Sequence, residues 1–155
     1  MRPTGLERRD RLRQDVDVIL ASERDGVLTL RMEASAVDFK EEAGRRNGPA
    51  LEPGETENPV AATKLADEVA CMANSPGGGA LILGVEDRTG VVLGTELNED
   101  WLRQRIYQAI DVAPDIEVRA VGGQRLLVLL FPPRFDPLDA QETSYFAAVD
   151  RKSVV

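Results

Sequence analysis

The chain has 155 residues, 43% of them apolar and 30% charged, with a net charge of −8, one cysteine and no histidine. That is the size and composition of one globular domain able to bury a core, and a lone cysteine suits a reducing, cytoplasmic setting. The composition excludes an internal disulfide framework, histidine-based nucleophilic catalysis and imidazole zinc sites, and no apolar run is long enough to span a bilayer. Charge is unevenly spread. Residues 51–100 carry two basic and ten acidic side chains, while the segments on either side are balanced. The outer segments therefore remain able to present a basic patch.

In chain order, Leu12, Val16, Ile19 and Leu20 recur at helical spacing and predict a helix over 6–22. Asp25-Gly26 is a turn signal. In "VLTLRMEASAVDFKEEA" a short strand is followed by a break near Ala34-Ser35 and a second strand. That strand turns Val37 and Phe39 inward and puts Asp38 and Lys40 together on its other face. Residues 44–58, rich in Gly, Pro and charge, read as an exposed loop.

A helix follows over 59–73, with Asn58 as cap, Pro59 in its first turn and Leu65, Val69, Met72 and Ala73 as its apolar face. Cys71 inside it reads as a small core residue. "ALILGV" is a buried strand, "DRTG" a hairpin turn and "VVLGTEL" a returning strand. Asn98 starts a helix carrying Leu102, Ile106 and Ile110. "DIEVRAV", a "GGQ" turn and "RLLVLLF" form a hairpin, and "SYFAAV" reads as a last strand. The order α-β-β-α-β-β-α-β-β predicts an α+β fold: two layers, a mixed and largely antiparallel sheet with helices packed on it. The chain reads as one domain over 1–155, with a core of about 25–135; its end at "DRKSVV", just after a strand, suits the N-terminal part of a longer chain.

The glycines of "NSPGGGALILGVED" do not form a nucleotide loop. A Walker A motif needs Lys-Ser/Thr after its last glycine, and here Val85-Glu86 follows Gly84. The order is also helix, glycines, strand, so the loop faces the negative end of a helix dipole instead of the positive one. The run reads as a sharp turn into a core strand. Acids are the other candidates. Glu33, Asp38 and Glu86 or Asp87 would converge if their strands are neighbours. Clustered carboxylates hold Mg or Mn and activate water against a phosphodiester. Lys40, Arg45 and Arg46 would suit phosphate, whereas aromatic platforms for base stacking are nearly absent.

"EASAVDFK", then "ACMANSPGGGALILGVEDRTGVVLG", then "RLLVLLFPP" together resemble the Schlafen-type AlbA domain, over roughly residues 30–133. The family pattern is an acidic-x-x-x-x-Glu-Phe-Lys strand, Ala-Asn with a glycine pair, then Leu-Ile-Gly-Val-Asp-Asp and a hairpin. The resemblance implies an α/β domain that binds DNA or RNA, commonly at the N-terminal side of a longer regulatory protein, including transcription regulators. The family is also described as divergent AAA, which implies ATP binding, although the Walker lysine is missing. Some vertebrate members cut RNA with three acids, which would fall here on Glu33, Asp38 and Asp87 (or Glu86). Asp38 stands where the family has Glu, Glu86-Asp87 replaces Asp-Asp, and an acidic insertion occupies 51–58. The resemblance thus implies a nucleic-acid-binding regulatory module first, with a metal-dependent endoribonuclease second. A protein-interaction domain, self-associating or not, is the third expectation.

Overall fold

The computed structural model describes residues 5–31, 36–73 and 78–131. Helix α1 (Gly5–Ala21) buries Leu12, Val16, Ile19 and Leu20, the stripe that the spacing predicts. A small hairpin follows, β1 (Glu23–Arg24) and β2 (Val27–Leu28), closed by Asp25 at φ 53° and Gly26 at φ 79°. Two positive φ angles in a two-residue loop make a turn whose twist matches the strands it joins.

The main sheet begins with β3 (Val37–Lys40). Residues 44–58 are not structureless: β4 (Arg46–Asn47) and β5 (Ala50–Leu51) pair as a hairpin within them. Helix α2 (Pro59–Ala73) is capped by Asn58, whose Oδ1 accepts from the Ala61 N–H at 3.2 Å. Strand β6 (Gly79–Leu83), helix α3 (Glu99–Ile110) and the hairpin of β7 (Asp115–Val121) and β8 (Gln124–Phe131) complete the described elements. Helix α3 is capped by Asn98, which accepts from the Trp101 N–H, and Asp111 ends it in the left-handed conformation.

The sheet order is β3-β6-β8-β7, parallel between β3 and β6 and antiparallel elsewhere. This is the mixed, largely antiparallel α+β arrangement expected from the sequence. The layering differs, because helices cover both faces. Helix α1 packs with Phe39, Ala80, Ile82, Leu126, Val128 and Leu130 on one side. Helices α2 and α3 pack with Leu81, Leu83, Leu127, Leu129 and Phe131 on the other, giving three layers. All five residues of β6 are buried, so its sequence shows a continuous apolar run instead of alternation.

Two further expectations change. "VVLGTEL" forms no ladder strand: Val91 and Val92 make only isolated bridges, to Val27 and Val85. Strand β6 already has β3 on one edge and β8 on the other, so the returning arm finds no free edge. Cys71 lies on the exposed side of α2, not in the core. It is two positions from buried Val69, a step of about 200° around a helix. The expected strand "SYFAAV" lies outside the described residues. Among those described, no helix is long and apolar enough to cross a membrane.

One buried polar network ties the ends of these elements together. Glu42, 3% exposed, accepts from the Thr95 hydroxyl at 2.7 Å and from Asn58 Nδ2 at 2.8 Å. Asn58 Nδ2 also donates to the Ala43 carbonyl at 2.8 Å. Asn58→Ala therefore removes a helix cap and leaves a buried carboxylate oxygen short of a donor. The expected loss is about 2–3 kcal/mol, read as a lowered urea midpoint; an unchanged midpoint would contradict the role assigned to the network.

Candidate functional site

Parallel strands β3 and β6 end side by side, with Lys40 opposite Leu83. Both chains then leave the sheet. The first runs through Glu41 and Glu42 to the β4–β5 hairpin, and the second turns at Gly84, where φ is 110°. The Gly84 N–H donates to the Lys40 carbonyl at 2.7 Å, and the Gly84 carbonyl accepts from Leu93 N–H at 2.7 Å and Gly94 N–H at 2.9 Å. These bonds fix the direction in which residues 86–88 project. Between the two departing chains and α2 lies a groove of about 670 Å³, lined by Lys40, Glu41, Arg46, Lys64, Glu86, Asp87 and Arg88 among others. A recess of about 300 Å³ shares Lys40 and Lys64 with it and reaches Glu68. The carboxyl ends of parallel strands are a common place for ligands in sheets with helices on both faces.

Acids and cations both line the groove, but they are not equally engaged. Arg46 bridges Glu41 and Glu86, with Nη2 at 2.9 and 2.8 Å from their carboxylates. Hydrogen bonding to Glu41 first, and then to Glu86, raises the pKa of its guanidinium. Asp87 is paired with Arg31 at 3.2 Å and also offers that side chain its backbone carbonyl. Arg31 in turn stacks 4.5 Å over the Phe39 ring. Glu42 is turned inward to its own network. Lys40 pairs with Glu68 at 3.0 Å, and this hydrogen bond, more than the opposing desolvation, raises its pKa above the ordinary 10.5. Lys40 is therefore charged throughout the physiological range. Lys64 and Arg88, both exposed, have no ion-pair partner among the described residues. Every groove acid is answered by a partner, and two cations are left over.

The residues singled out in the sequence fall as follows. Asp38 and Lys40 do share a face of β3, the α2 side, and Phe39 points to the α1 side. The Asp38 carboxylate accepts from the Phe39 N–H at 3.0 Å. Lys40 also feels the charges of Asp38 and Asp87, which add to the upward push on its pKa. Glu33 lies outside the described residues, so its place relative to Asp38 and Asp87 is not described. Among the described residues no group of three or more acids or cysteines is placed to hold a metal ion. Arg45 is occupied as a staple: Nε donates to the Glu52 carbonyl at 2.9 Å and Nη1 to the Gly94 carbonyl at 3.0 Å.

Of the glycine run, Gly78 has φ 71°, and a Cβ on Gly79 would lie 2.9 Å from Met72 Cε and 3.1 Å from the Ala36 carbonyl oxygen. Both are steric requirements for a turn into a packed strand, in keeping with the structural reading of that run. Residues 74–77 lie outside the described set.

Lys64 and Arg88 were not visible as candidates in the sequence. One signal could have found them: they are the only basic residues in the acidic stretch 51–100, and the fold brings both to one groove.

A three-layer α+β domain with a groove of mixed charge at the carboxyl ends of a parallel strand pair defines the class. The chain belongs to the Schlafen AlbA_2 family, whose profile matches residues 33–154. It is similar to the crystal structure of the DIP2311 protein from Corynebacterium diphtheriae, with 61% identity and a TM-score of 0.77 over 80% of this chain and 25% of that one. The chain thus spans about a quarter of that protein's length. A solution structure of the N-terminal domain of a RecG-related protein from Nitrosomonas europaea matches at 19% identity and a TM-score of 0.43, over 85% of this chain and 74% of that one. No curated protein matches the chain.

Proposed function

We propose that this domain is a nucleic-acid-binding regulatory module that holds a phosphate backbone in the groove between β3, β6 and α2. The observation that carries the reading is the pair of unpartnered cations, Lys64 and Arg88, across a groove whose acids are already engaged. Family membership supports it, because the AlbA resemblance implies nucleic acid as the partner. Lys40 and Arg46 line the same groove and join the two by exchanging partners. Their present ion pairs are solvent-accessible, and such pairs are worth about 0–1 kcal/mol. A phosphate is a competitive replacement for Glu68 or Glu41.

Four phosphate contacts without aromatic platforms describe backbone binding with little base readout. Arg45 holds the hairpin that presents Arg46 and stays on its two carbonyls. The test is titration of labelled single-stranded and duplex DNA and RNA with the protein at low salt. Saturable binding that is competed by polyanions supports the proposal, and absence of binding to all four removes it.

A further inference from the structure

The outer edge of β7 has no strand paired to it among the described residues, and its sequence is self-complementary. Strand β7 is the last in the order β3-β6-β8-β7 and keeps an unbroken seven-residue register with β8, without a bulge. Its residues, "DIEVRAV", contain neither proline nor lysine, the usual guards of a long free edge.

Gly122 and Gly123, at φ 57° and 77°, close the β7–β8 hairpin as a two-residue loop, so Val121 and Gln124 form the hydrogen-bonded closing pair. Alternation along an antiparallel ladder then aims the N–H and C=O of Ile116, Val118 and Ala120 at the open edge. Val118 is 47% exposed and Ala120 is exposed as well.

The other face of β7 is fixed by α1. Arg9 pairs with Asp115 at 2.6 Å, Arg13 with Glu117 at 2.7 Å and Asp17 with Arg119 at 2.6 Å. Four helical residues rise about 6 Å and two strand residues about 6.6 Å, so the three pairs stay in step. This ladder presents the charges of the strand in a defined order.

We infer that β7 is a self-association edge, where two copies of this chain pair their β7 strands antiparallel about a two-fold axis through Val118. In that register Val118 faces its own copy and Ile116 faces Ala120 of the second copy, both as hydrogen-bonded pairs that use the outward groups. Glu117 faces Arg119 of the second copy at the closer, non-hydrogen-bonded positions, where opposite charges attract. The charges continue as Arg13, Glu117, then Arg119 and Asp17 of the second copy, alternating in sign throughout. The two four-stranded sheets become one of eight strands. This surface is separate from the groove, so the inference does not depend on nucleic-acid binding.

The test is sedimentation of the 155-residue chain over a range of concentrations, with Val118→Lys and Ala120→Lys as variants. Both positions are exposed, so melting temperatures taken at concentrations where the parent is monomeric should stay at the parent value. The parent should form a concentration-dependent dimer. Val118→Lys, which sets two ammonium groups against each other on the axis, should raise the dimer dissociation constant at least about tenfold. Ala120→Lys should weaken the dimer in the same direction. A parent that is monomeric at every concentration overturns the inference. So does a dimer that both variants leave intact.

Discussion

Reversing both unpartnered groove charges, Lys64→Glu together with Arg88→Glu, is expected to weaken nucleic-acid binding at least about a hundredfold at low salt. Two favourable phosphate contacts become repulsive ones, and about 1.4 kcal/mol per tenfold converts the change. Stability should move little. Neither side chain has an ion-pair partner among the described residues, and both are exposed, where substitutions usually shift stability by about 0.5 kcal/mol or less. The local penalties are a Glu four residues before Glu68 on α2, worth about 0.5 kcal/mol, and a third consecutive acid after Glu86 and Asp87 at an exposed position. Anisotropy titration gives the affinity and thermal melting gives the fold. Unchanged binding by a folded double variant would place the contact surface elsewhere.

The second large effect is on stability. Gly84→Ala should cost about 2–4 kcal/mol and lower the melting temperature by about 10 °C. A Cβ at Gly84 would stand 2.7 Å from Leu126 Cδ2 and 3.1 Å from the Gly94 carbonyl carbon, at a φ of 110° that L-residues rarely adopt. The Leu126 tip could move, but the Gly94 backbone is held by its own hydrogen bond to the Gly84 carbonyl. Gly123→Ala is the control: its φ is 77°, but nothing lies within 4 Å of the added atom. It should cost about 1 kcal/mol, the conformational part alone. Equal losses at the two sites would mean that packing around Gly84 is looser than the structure describes.

Helix positions were legible in the sequence because their signals are local. Asn58-Pro59 and Asn98 carry the cap chemistry that begins α2 and α3, and the α1 stripe is written at fixed spacing. The shared face of Asp38 and Lys40 was legible for the same reason, since alternation follows from strand geometry alone. The layering was not. The apolar run of β6 marks burial on both faces, but that α1 covers one face and α2 with α3 the other is written in no local pattern. "VVLGTEL" has the composition of a strand, yet whether it pairs is decided by β8, more than thirty residues later, taking the edge it would need.

At the site, residue type was readable and engagement was not. Arg45 and Arg46 are adjacent and chemically identical, but one is spent on backbone carbonyls and the other spans two carboxylates. Lys64 and Arg88 are far apart in sequence and meet only because β3, α2 and β6 form one crossover unit.

That the cations of this groove, Lys64 and Arg88 first, hold a phosphate backbone is tested most directly by the salt dependence of binding. With four cations engaged, log K against log salt should fall with a slope of about −2.8 for a single strand or about −3.6 for duplex DNA. In the Lys64→Glu, Arg88→Glu variant, any residual binding should lose about half of that slope. No binding by the parent protein at about 50 mM salt, or binding whose affinity is unchanged up to about 200 mM, would contradict the account.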